Sequence, residues 1–155
     1  MAASLTIFGR KSDYSGALSK IRSVTSFPVD VVGDPDNWQS ATVKDPRSTL
    51  TFNPMTKTRP GDPFSKIILG AANFFRRIKT EAVANQNYLK DSIFKTTLLI
   101  GVVAEPELTE ETGDFDLIFA VAESCDGLIF NGSGMVDASG DLILDDTGDY
   151  DRLLT

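Results

Sequence analysis

"TTLLIGVVA" spans Thr96–Ala104, and its near-continuous β-branched and apolar run specifies a strand covered on both faces. Such a strand belongs at the centre of a sheet, and Glu105-Pro106-Glu107 ends it. The segments on either side must then supply the neighbours and the covering layers.

Working back towards the N-terminus, Glu81–Phe94 reads as a weakly amphipathic helix with Ala82, Leu89 and Ile93 facing inward. The helix before it has the clearest pattern in the chain. Phe64, Ile67, Ile68, Ala71, Phe74, Phe75 and Ile78 recur as one broad stripe, which predicts a core helix. Asp62 is placed to cap it, with Pro63 at the first helical position, where a missing N–H costs nothing. Arg76, Arg77 and Lys79 crowd its last turn, where cations complement the macrodipole.

The stretch Val29–Met55 lacks helical periodicity and is rich in Val, Thr, Pro and Asp. Strands are expected near Val29–Val32, Gln39–Val43 and Thr49–Asn53, separated by the turn-formers "GDPDN" and "KDPR". Leu5–Phe8 predicts a first strand, followed by a helix capped by Ser12 or Asp13 with Tyr14, Leu18, Ile21 and Val24 on one face. Trp38, the sole tryptophan, reads as a core anchor.

Downstream of the central strand, Asp114 is positioned to cap a helix whose Phe115, Ile118, Phe119 and Ala122 form the apolar face, with Gly127 as its left-handed terminator. "LIF", "MVD" and "LIL" then read as strands separated by the turns "NGSG" and "ASGD". The order of elements implies an α+β (or α/β) fold: a mixed β-sheet packed with three or four helices and closed by a C-terminal β-hairpin. At 155 residues and 41% hydrophobic content, residues 1–155 form a single domain, able to bury roughly 68–70% of the surface an unfolded chain exposes.

Net charge −7 conceals a polarity along the chain. Residues 1–95 carry 14 bases and 8 acids, a net of +6, whereas residues 96–155 carry one base and 14 acids, a net of −13. Either the two parts neutralise each other in the fold, or the second presents an acidic face to a basic partner.

Several chemistries are disfavoured. Histidine is absent, which removes imidazole general-base catalysis and His-ligated zinc. The single cysteine, Cys125, makes neither a disulfide nor a Cys-rich metal site, and Glu123 and Asp126 beside it suppress its thiolate. In "VDASGDLILDDTGDYD" (Val136–Asp151), Asp137, Ser139 and Asp141 match the first ligand positions of a calcium loop. The required glycine falls at Leu142 and the closing glutamate at Gly148, so a hairpin followed by an acidic tail is expected, with no metal. Gly132-Ser133-Gly134 lacks the lysine and following helix of a phosphate cradle, so no cofactor is expected. Phe74-Phe75-Arg76-Arg77 fits a core helix end better than a nucleic-acid contact, and net acidity opposes phosphate binding. The apolar runs are far shorter than the roughly 20 residues of a membrane helix. At the N-terminus the basic residues follow the apolar stretch, the reverse of a secretory signal, so a cytoplasmic location is expected.

The passage "FAVAESCDGLIFNGSGMVDASGDLILDD" resembles small uncharacterised bacterial α/β domains in which a helix runs through an Asp-Gly step into a strand and a terminal hairpin. That resemblance implies no activity and no functional residues. The expected function is therefore a non-enzymatic protein-binding domain with a basic partner, an immunity-type inhibitor of a basic toxin or enzyme being its most specific form. Its candidate partner-binding residues are Glu105, Glu107, Glu110, Glu111, Asp141, Asp145, Asp146 and Asp149. The alternatives are a small enzyme using carboxylate pairs such as Asp34/Asp36 or Glu105/Glu107, and a structural subunit of a larger or homo-oligomeric assembly.

Overall fold

In a computed structural model, which describes residues 3–106, 108 and 113–154, one sheet organises the chain. Its eight strands are β1 (Ala3–Gly9), β2 (Val29–Asp34), β3 (Asn37–Lys44), β4 (Thr49–Met55), β5 (Leu98–Glu105), β6 (Gly127–Phe130), β7 (Gly134–Val136) and β8 (Leu142–Asp145). They lie in the order β2-β3-β4-β5-β1-β6-β7-β8. The fold is α+β. All seven pairings are antiparallel, in place of the mixture of directions expected from the sequence. The reason is that the strands sharing a direction are never neighbours: α1 (Tyr14–Val24) joins β1 to β2, with three strands between them, and α4 (Asp114–Ser124) joins β5 to β6 with β1 running oppositely between them, while the pair α2 (Pro63–Arg76) and α3 (Val83–Phe94) joins the antiparallel neighbours β4 and β5.

The quoted run forms β5 and is interior to the sheet. Leu98, Ile100, Val102 and Ala104 enter a core beneath α1 and α4, while Leu99 enters a second core beneath α2 and α3. Each fully buried leucine or isoleucine of this kind contributes roughly 1.5–3 kcal/mol, so alternation between two cores explains why the segment has no polar side chain from Leu98 to Ile100. The α2–α3 layer reaches only the β1 side of the sheet. Thr42, Thr51 and Asn53 of β3 and β4 lie on the uncovered face, which accounts for the polar alternation of those strands.

The helices depart from their expected stripes in instructive ways. In α2 the buried positions are Phe64, Ile68, Ala71 and Phe75; Phe74 and Ile78 are partly buried, and Ile67 is 39% exposed. A spacing of four, three and four residues defines a narrower stripe than the sequence suggested, because α2 packs on the sheet below and on α3 at one flank, leaving Ile67 on the open side. Val24, at the end of α1, is likewise exposed. In α4 the inward residues are Leu117, Ile118, Val121 and Ala122, with Phe115 and Phe119 only partly covered. Gly113, not Asp114, is its N-cap; Asp114 is the first helical residue and is buried, accepting from the Ser48 hydroxyl at 3.3 Å. At the other end the left-handed residue is Asp126 (φ 51°), and Gly127 already belongs to β6. Asp tolerates that region better than most side chains, and here it frees Gly127 to lie close against Ile7 and Cys125. The caps at Asp13 and Asp62 and the terminal hairpin are as expected, with Gly140 at φ 95° in the hairpin turn.

Candidate functional site

β1, β6 and the β7–β8 turn end together beside α3, and the sequence places Arg10 one residue beyond β1 at that junction. Arg10 Nε donates to the Asp126 carbonyl at 2.9 Å and Nη2 to Asp126 Oδ1 at 3.1 Å. Its Nη1 donates to the Tyr88 hydroxyl at 3.3 Å and to Ser92 Oγ at 3.2 Å, and the guanidinium stands 5.9 Å from the Tyr88 ring centroid. One side chain therefore ties the end of β1 to α3 and to the α4–β6 junction. Arginine suits this position because its planar fork serves several acceptors at once.

This clamp forms one wall of a concavity of about 380 Å³, bounded otherwise by Glu123, Leu128 and the Asp137–Ser139 turn. A second concavity of about 520 Å³ shares Tyr88 and Asp137 with it and continues over Ile143 to Arg152 and Leu153. Together they make one groove along α3. Its far end is fixed by Asn85, which is completely buried. Asn85 Nδ2 donates to the carbonyls of Ile143 (2.8 Å) and Arg152 (2.9 Å), and its Oδ1 accepts from Leu154 N (2.7 Å). The C-terminal segment also covers the outer edge of β8, where Leu142 N donates to Asp151 Oδ2 and Asp151 N to the Leu142 carbonyl. Nothing in the sequence marked Arg10, Tyr88 or Asn85, because what each faces lies on other elements: Asp126 and Ser92 for Arg10, Asp137 across the groove for Tyr88, Ile143 and Arg152 for Asn85.

The groove carries three carboxylates and two arginines, Arg10 and Arg152. Asp126 pairs with Arg10, whereas Glu123 and Asp137 make no ion pair among the described residues. Asp137 Oδ1 holds its own turn, accepting from Ser139 N, Ser139 Oγ and Asp141 N at 2.8–3.0 Å. In that turn Asp137 Oδ1 is the common acceptor for two backbone amides and the Ser139 hydroxyl, and no group of three or more His, Cys, Asp or Glu side chains converges among the described residues.

The acids singled out from the sequence do not form one patch. Glu105 ends β5 opposite Thr49; β8 lies four strands away, about 19 Å at 4.8 Å per strand. Asp145, Asp146 and Asp149 cluster at the end of β8, and Asp141 lies at the opposite end of that strand. Asp146 shares a concavity with Arg77 and Lys79, so there the basic and acidic parts of the chain do meet. Glu107, Glu110 and Glu111 lie outside the described residues. Asp34 and Asp36 are exposed at the β2–β3 turn.

Among the described residues three groups have displaced acidities, each with a structural cause. Burial pushes the Cys125 thiol up to about 11, Asp126 adding to the effect. The Thr147 hydroxyl foremost, with the amides of Asp149 and Thr147, lowers Asp145; the amides of Thr58 and Ser65 hold Asp62 well below the usual carboxylate range. Both carboxylates are ionised by preference in the folded state. Each therefore contributes stability that is complete above the unfolded carboxylate pKa, about 4, and is lost as pH falls through the lowered native value. The Asp62→Asn/Asp145→Asn protein, which retains an oxygen acceptor at both positions, is expected to melt lower than wild type at pH 7 and to lose less Tm between pH 5 and 3. Melting curves followed by circular dichroism across that range check it; parallel pH profiles would refute it.

Among the described residues no helix is long and apolar enough to cross a membrane. The chain matches no family model, no curated protein and no solved structure.

Proposed function

We propose that this chain is a protein-binding domain whose groove along α3 receives a basic segment of its partner, with inhibition of a basic enzyme or toxin as the most specific form of that role. The observation that carries the reading is a preformed groove in which two acids stand outside any ion pair among the described residues. Arg10 and Asn85 hold its two ends, Tyr88 forms its middle, and Glu123 and Asp137 present carboxylates with no described cation in contact. A rigid aromatic beside fixed charges lowers the ordering cost of binding and supplies contact area of the kind that dominates interfaces.

Fluorescence anisotropy with a labelled Arg/Ala peptide tests this reading. Glu123→Gln/Asp137→Asn, in which the Asn keeps the turn acceptor, should weaken binding by about tenfold, on the order of 1.4 kcal/mol. Asp145→Asn/Asp146→Asn/Asp149→Asn should change it less than about twofold, because those acids line neither part of the groove. Affinity should fall as salt rises. A larger loss in the triple variant would transfer the site to the acidic turn, and equal, salt-independent binding by all three proteins would remove the proposal.

A further inference from the structure

The side of α3 facing away from Tyr88 borders a different groove, of about 450 Å³, between α2 and α3. Gln86, in the first turn of α3, donates to the carbonyls of Phe75 and Ile78 at 2.8 and 3.0 Å, so the helices are pinned at that end and run antiparallel from it. Helical spacing aligns Leu69, Asn73 and Arg76 along α2, and Asn87, Lys90 and Phe94 along α3. Phe94, 53% exposed, lines the groove at the end remote from Gln86 and makes that end apolar; Leu69, one turn before Asn73, is 55% exposed but outside the lining. Arg76 and Lys90 line the groove, which contains no acidic side chain, and neither makes an ion pair among the described residues.

We infer that the α2–α3 groove is a second docking surface, which takes an acidic amphipathic helix of a partner protein. The cations select the occupant's charge, and Phe94 with Ala72 supplies an apolar contact of the kind used when a helix lies in a groove. A second copy of this chain is the poorer occupant. A two-fold contact through this surface would bring Arg76 and Lys90 against their own equivalents, and like charges brought together are unfavourable.

The probe is a labelled 18-residue helical peptide of Glu and Leu at amphipathic spacing, with a companion in which every Glu is Lys. Wild type should bind the Glu peptide at least tenfold more tightly than the Lys peptide. Arg76→Glu/Lys90→Glu should reverse that preference, and Phe94→Ser should weaken the Glu peptide at least fivefold. All of these positions are exposed, and unchanged melting curves verify that the variants are folded. Glu123→Gln/Asp137→Asn should leave Glu-peptide binding unchanged, which separates this surface from the groove over Tyr88. No binding, no reversal on charge exchange, or loss through the Glu123/Asp137 variant overturns the inference. So does a sedimenting dimer that Phe94→Ser dissociates, which would make a second copy the occupant.

Discussion

Phe75→Ala is expected to destabilise the protein by about 3–5 kcal/mol, while Ile67→Ala on the same helix changes stability by about 0.5 kcal/mol. Phe75 is 1% exposed at the centre of the core under α2 and α3. Its ring meets Phe74 edge-on at 5.0 Å and Phe130 at 5.6 Å, and such pairs add about 0.5–1.5 kcal/mol beyond the area they bury. Truncation removes both contacts and leaves a cavity bounded by α3, β6 and α2 itself. Ile67 keeps 39% of its surface in water, so most of its truncation is felt by solvent. Urea unfolding decides the matter: the Phe75→Ala midpoint should fall sharply at constant slope, and the Ile67→Ala midpoint should stay near wild type. Equal losses would mean that the helix is rotated about its axis relative to the arrangement described.

Trp38→Ala should cost a similar amount, about 3–5 kcal/mol, from the opposite core. Trp38 is 1% exposed, packs edge-on against Tyr14 at 6.1 Å and donates from Nε1 to the Tyr14 carbonyl at 2.7 Å. It thereby fastens the start of α1 onto β3. Trp38→Phe retains most of the volume and loses only the indole hydrogen bond, since the Tyr14 carbonyl keeps its intrahelical partner, so it should cost about 0.5–1.5 kcal/mol. The gap between the two variants measures packing apart from the hydrogen bond. As the only tryptophan, Trp38 also reports its own burial: wild-type emission should shift to the red on unfolding. A native-state spectrum typical of solvated indole would contradict its placement.

The strands and the caps at Asp13 and Asp62 were legible in the sequence because their causes are local. The apolar run at Thr96–Ala104, the Asp62-Pro63 cap and the turn residues of the terminal hairpin each act within a few positions. Helix faces were less legible. Phe115 and Phe119 against Leu117 and Val121 is a choice between two overlapping apolar stripes, decided only by where α4 meets α1 and the sheet. Strand direction was not legible, since a helix between two strands is compatible with either sense. The groove was illegible for a further reason: Arg10 and Asp126, and Asn85 and Arg152, become neighbours only when the sheet closes. The acids were visible, but the bases beyond α2 that stand beside Asp146 could not be located from charge counts alone.

β1 has a consequence for the order in which the molecule can be made. It is the first of the eight strands to leave the ribosome, yet it lies between β5 and β6, pairing with Leu98–Ala104 on one side and Gly127–Phe130 on the other. At 5–20 residues per second those partners emerge roughly 5–25 s later. Meanwhile β2, β3 and β4 can form their meander from neighbouring sequence alone. The nascent chain thus holds an apolar strand with two open edges until β5 and β6 have been made, and closure of the sheet around it must be a late event that joins the locally formed meander to the terminal hairpin.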